Sequence, residues 1–254
     1  MARIGVPKAH GQRDGMKRTQ FITAASVAGA LAATRDVSLA AMADVPGGRD
    51  LVEPHSAFDA SAFDATLGKK ADIRQVWENL GFKPGVFNNI KNSLNGLQFS
   101  FGYAPGSIAM AIASHGPSSA YTYGDEMWSK YKIGEFFDLK DKAGAQITSN
   151  VFYARKSSMG GSTDPNNDAS MYQDTSVAAL QARGVVFLTC HTAVEEQSRA
   201  LVKAGRAPAG MTGSDVAADI LTHLVPGAFV VPSMVATVAV LQHKFGYTYI
   251  TIQS

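Results

Sequence analysis

Residues 184–205 read GVVFLTCHTAVEEQSRALVKAG, and their pattern decides the fold. Val185–Thr189 is a short, unbroken apolar run, the signature of a strand buried on both faces. Cys190 and His191 close it. Thr192–Ala204 has helical character, and Gly205 ends it. Before the run, Met171–Arg183 reads as a helix stopped at Gly184. Helix, buried strand and helix in succession form the repeating unit of a parallel sheet.

The same unit recurs in both directions. Upstream, Asp72–Glu78 (DIRQVWE) reads as a strand, and Gly81, Pro84 and Gly85 break it. Phe87–Phe101 carries Ile90, Leu94, Leu97 and Phe101 at helical spacing, which predicts one buried face. Ser107–Ser114 (SIAMAIAS) is a second apolar strand ending in His115-Gly116-Pro117, and Asp125–Tyr131 a short helix. Downstream, Asp215–Leu224 reads as a helix capped by Ser214 and Ala228–Val231 as a strand. Ser233 caps a helix with Val235, Val238, Leu241 and Phe245 on one face, and Tyr247–Ile252 is the last strand. The expected fold is α/β: a three-layer, doubly wound, mostly parallel sheet of five strands. Residues 138–170, rich in Gly, Ser, Asn and Asp, have no period and read as an insertion of the kind that forms lids.

Composition fits one globular domain. The 254 residues are 46% apolar and 17% charged, which excludes a disordered chain. A single cysteine excludes an internal disulfide and any multi-cysteine metal cage. Charge is unevenly spread. Residues 1–43 hold six basic and two acidic residues, a surplus of four; the remaining 17 basic and 19 acidic residues leave 44–254 at −2. A body without positive surplus is not built to hold nucleic-acid phosphates.

The basic surplus belongs to a segment with the features of an export signal. Lys17 and Arg18 precede the apolar run Phe21–Ala33 (FITAASVAGALAA), and Ala41-Met42-Ala43 fits a small-x-small cleavage site. KRTQFI is a twin-arginine pattern with Thr19 in place of the second arginine, so the Sec and twin-arginine routes both stay open. Met16 is an alternative start, and a buried N-terminal helix is the alternative reading of the segment. The expected division is a signal at 1–43, a loosely packed lead-in at 44–70 with Pro46, Gly47, Gly48 and Pro54, and one domain at 71–254. Such a product is periplasmic, with no membrane span in its mature form.

Cys190 is the sharpest chemical feature. It is the only thiol, placed between a strand and a helix, where amide dipoles favour a thiolate. His191 adjoins it, and His115 ends another strand at the same edge. Either histidine fits a polar contact to a ligand or a residue that only anchors its turn. Asn88, Asn92 and Asn95 form one polar stripe on a helix, fit to line a ligand site or simply to face water. Tyr121, Tyr123 and Trp128 read as core or as a wall of that site. The six histidines show no metal spacing, and no dinucleotide, Walker or nucleophile-elbow motif is present, so no cofactor is expected.

Several stretches resemble one family. LQARGVVFLTCHTAV (180–194) and AADILTHLVPGAFVVPSMVATVAVLQHKFGYTYI (217–250) are similar to the DsrE/DsrF-like sulfur-relay proteins, in particular their exported branch. NSLNGLQFSFG (92–102) and IASHGPSSA (112–120) share the likeness. The resemblance implies a small α/β fold that forms a homo-oligomer, and a persulfide carried on the cysteine after the central strand, which is Cys190 here. It also implies a sulfur donor or acceptor protein as partner. A non-catalytic module that binds a small ligand or a protein, with Cys190 structural, is the alternative. A metabolic enzyme would need an acid–base pair that the sequence does not display.

Overall fold

The computed structural model describes residues 52–251. The expected signal, its start and cleavage site, and residues 44–51 of the lead-in lie outside the described residues. In chain order the helices and strands are α1 (Ala60–Leu67), β1 (Ile73–Asn79), α2 (Gly85–Asn95), β2 (Ile108–Ser114), α3 (Asp125–Lys130), α4 (Ile133–Phe136), α5 (Val177–Ala182), β3 (Val185–Cys190), α6 (His191–Lys203), α7 (Gly213–Thr222), β4 (Ala228–Val231), α8 (Met234–Phe245) and β5 (Thr248–Ile250). The five strands form one sheet in the order β4-β3-β2-β1-β5, with every pairing parallel.

The chain steps from β1 to β4 in one direction, then returns across the whole sheet to place β5 beside β1. Right-handed crossovers make that reversal put helices on both faces. On the first face α2 and α5 cover Trp77, Met110, Ile112 and Phe187. On the second, α1 and α8 cover Val76, Ala111, Ala113, Leu188 and Cys190. The alternation of side chains along each strand sets both lists. The three-layer, doubly wound α/β fold expected from the sequence is the fold observed, and its sheet is wholly parallel.

Several elements differ from expectation for physical reasons. The long helix expected over Phe87–Phe101 is an α-helix only to Asn95 and then widens into a π-turn over Gly96–Ser100. Five-residue bonding rotates the register, so Phe101, expected on the buried face, is 76% exposed. The helix expected over Met171–Arg183 splits into a 3-10 turn (Met171–Gln173) and α5, because Ser176 caps α5 by accepting from Ala179 N–H. The cap of α7 is Thr212, not Ser214: Thr212 and Asp215 hold each other's backbone N–H groups in a capping box. Ser233 occupies the cap position of α8 without a side-chain bond to its backbone.

The lead-in and insertion are more firmly attached than their composition suggests. In the lead-in, α1 buries Phe63 and Leu67, and Asp64 pairs with Lys244 of α8 at 2.6 Å. In the insertion, Asn150 Nδ2 donates to the carbonyls of Tyr121 (2.9 Å) and Tyr123 (2.8 Å). Phe152 meets the Tyr121 ring edge-on at 4.8 Å. Gly134 allows the approach: a Cβ there would stand 1.8 Å from the Ile147 carbonyl oxygen. Tyr121, Tyr123 and Trp128 are fully buried core residues around this attachment.

Candidate active site at the carboxyl edge

In doubly wound sheets, ligands bind at the carboxyl edge, where the strand order reverses. Here that point is the end of β1 beside β5. Glu78, one residue before the end of β1, faces the second side of the sheet together with Val76, whose partner on β5 is Tyr249. Tyr249 and Thr251 hydrogen-bond the Glu78 carboxylate, and His115 Nε2 lies 3.3 Å from Glu78 Oε1. Burial pushes the Glu78 carboxyl up, but those hydrogen bonds and the His115 charge outweigh it and hold the group below its ordinary value.

The strand register carries this cluster toward Cys190. Ser114 pairs with Thr189, so the next residues, His115 and Cys190, come level on neighbouring strands. The His115 backbone is extended, and its N–H donates to Asn79 O at 3.2 Å, so the β1–β2 ladder continues through it. Both therefore stand at the carboxyl edge of neighbouring strands, on the second face. Glu196, in the second turn of α6, interacts electrostatically with both.

The Cys190 sulfur sits where two helices begin. It caps α6 by accepting the Ala193 N–H at 3.4 Å, and it accepts the N–H of Met234, the first residue of α8, at 3.3 Å. This is why Ser233 need not cap α8. Both helices direct the positive ends of their dipoles at one sulfur atom. The expected low thiol pKa is nevertheless corrected here. Cys190 is only 4% exposed, and burial pushes its thiol up; the Ala193 and Met234 N–H groups offset only part of that rise, and the Glu196 charge adds to it. Helix dipoles favour a thiolate, but loss of water costs more.

The structure places two of the residues expected at a site, Cys190 and His115, at the carboxyl edge of neighbouring strands, each in electrostatic interaction with Glu196. His191 opens α6, half-buried, beside Cys190 in the chain. The asparagine stripe is elsewhere. It belongs to α2, which covers the opposite face of the sheet; Asn88 and Asn92 are exposed, and Asn95 Nδ2 donates to Tyr172 O at 3.2 Å. Glu78, Tyr249, Thr251 and Glu196 escaped the sequence reading. The signal for Glu78 was its place near the end of a first strand, but its partners come from chain ends about 170 residues apart. Among the described residues, no group of three or more His, Cys, Asp or Glu is placed to hold a metal ion, and no helix is long and apolar enough to cross a membrane.

The class defined by these observations is an all-parallel α/β protein with a buried cysteine and a carboxylate–histidine pair at the carboxyl edge. The chain matches no protein-family model, no curated protein and no solved structure in the comparisons made with each.

Proposed function

We infer that the protein is a DsrE/DsrF-like sulfur-binding protein that holds one sulfane sulfur atom on Cys190. The observation that carries this reading is the convergence of backbone N–H groups from α6 and α8 on a single sulfur. Such donors stabilise an anionic sulfur, thiolate or persulfide, without any side-chain charge.

The step is a thiol–persulfide exchange. His115 accepts the Cys190 proton. The thiolate attacks the outer sulfur of a donor R–S–SH and forms the new S–S bond. The donor's own S–S bond breaks, its electron pair leaves on RS⁻, and His115 returns the proton to that leaving group. No external oxidant is required. Glu78 positions the His115 ring by its contact with Nε2.

Incubation with an inorganic polysulfide, followed by intact mass, tests this. The expected product is the protein plus one sulfur atom, removable by excess thiol and absent from Cys190→Ser. An unmodified wild-type chain would overturn the reading. The second reading, a binding module with a structural cysteine, is favoured by the burial of Cys190 and its raised pKa. It expects Cys190→Ser to keep whatever ligand or partner the wild type binds.

A further inference from the structure

At the opposite edge of the sheet, three cations gather with no ion-pair partner among the described residues. Lys91, on α2, is only 7% exposed, and its Nζ donates to the Gln173 side-chain Oε1 at 2.7 Å. Arg183 follows α5 directly and lays its guanidinium over the Tyr172 ring, 5.2 Å from the centroid. Both terminal nitrogens of that guanidinium are buried and lack a hydrogen-bond partner among the described residues. Lys156 Nζ reaches Thr175 Oγ1 at 3.2 Å. Asn95 completes the group: its Nδ2 donates to Tyr172 O, while its Oδ1 is buried and has no hydrogen-bond partner among the described residues.

All of these side chains converge on the short segment 172–175. The one carboxylate in that segment, Asp174, is not their partner. Its Oδ1 accepts the Ser176 N–H and its Oδ2 the Lys156 backbone N–H, and it makes no ion pair among the described residues. Burial, and the mutual repulsion of Lys91 with Arg183 and Lys156, pull the Lys91 pKa down; burial does the same to Arg183. Buried charges are normally paired, because an unpaired one loses its hydration without return. The 3-10 turn that carries Gln173 also exposes Met171 at 41%, so this cover lies at the surface.

We propose that Lys91, Arg183 and Lys156 form a binding site for a tetrahedral oxyanion, phosphate or sulfate, with the Gln173 carboxamide oxygen standing where one anion oxygen binds. Arg183 supplies paired N–H donors, Lys91 the buried point charge and Lys156 the charge at the rim. The turn at Met171–Gln173 shifts outward to admit the ion. The site is independent of Cys190, which lies at the far end of β3, roughly 20 Å away for a strand of this length.

The test is calorimetric titration of the purified protein with inorganic phosphate and with sulfate, at ionic strength matched with chloride. The expected result is one saturable site, with the two anions competing. Arg183→Gln is expected to lower the affinity at least tenfold, and Lys244→Gln, a surface control on the other face, to leave it unchanged. Glycerol phosphate distinguishes the natural form: equal binding points to a phosphate ester, and rejection points to the free ion. If Arg183→Gln fails to fold, Lys91→Met carries the test. Its ion-free melting temperature should equal or exceed that of the wild type, because a repelled, buried charge is removed, and its anion affinity should fall. Absence of saturable heat, or equal loss in Lys244→Gln, would overturn the proposal.

Discussion

The two faces of the sheet are built differently. The first carries large aromatic rings: Phe87 meets Tyr121 at 4.7 Å and Phe187 at 5.6 Å, and Phe82, Phe152 and Trp128 continue the cluster into the insertion. The second is lined along β2 and β3 by smaller side chains, Ala111, Ala113, Leu188 and Cys190, beneath α1, α8 and Ala193 of α6, and its rings, Phe63, Phe229 and Phe245, gather around α1. The rings on the first face interlock around Tyr121. The proposed sulfur site lies where two helix N-termini reach one sulfur.

Substitutions should separate the two faces. The largest effect is expected on the aromatic side. Trp128→Ala removes a fully buried ring and its hydrogen bond to Ala120 O, and should cost about 3–5 kcal/mol in chemical denaturation. Asn150→Ala comes next. It leaves the carbonyls of Tyr121 and Tyr123 without their donor, at about 1–3 kcal/mol, and should raise hydrogen exchange across the insertion while sparing β3. A cost confined to global unfolding, with no local release of the insertion, would show that Asn150 does not pin it.

On the second face, Cys190→Ala should cost about 1 kcal/mol, the size of a lost helix cap, while abolishing sulfur uptake. The smallest effect belongs to Glu78→Gln. The folded Glu78 pKa is held below its ordinary value, so its carboxylate contributes stability at neutral pH. That contribution is full above the unfolded carboxyl pKa and is lost as pH falls through the folded one. The wild type should therefore exceed Glu78→Gln by well under about 1 kcal/mol at pH 7, because the pair is partly exposed, and the two should converge in acid. A difference that grows in acid would contradict the assignment.

Much of the fold was legible because strand burial leaves a strong local mark. VVFLT and SIAMAIAS are unbroken apolar runs, and each became a sheet strand buried along most of its length. Helix ends were less legible. Thr212 displaced Ser214 as a cap because the choice depends on where the capping box closes, and a π-turn at Gly96 moved Phe101 to the surface without any distinctive residue. Of the candidate site, Cys190 and His115 could be found because each follows a strand. Glu78 and Tyr249 could not, since their meeting requires β5 to return beside β1, a choice of topology that no local pattern encodes. The asparagine stripe's spacing records a shared helix face and says nothing of which side of the sheet that helix covers.

The most direct test of a reactive Cys190 is the alkylation rate of the native protein as a function of pH. The expected result is slow modification at neutral pH that rises with an inflection above the ordinary thiol value, while the protein stays folded, with His115→Ala slower at each pH. Modification that begins only with unfolding, at every pH, would contradict it and leave Cys190 as a structural cap of two helices.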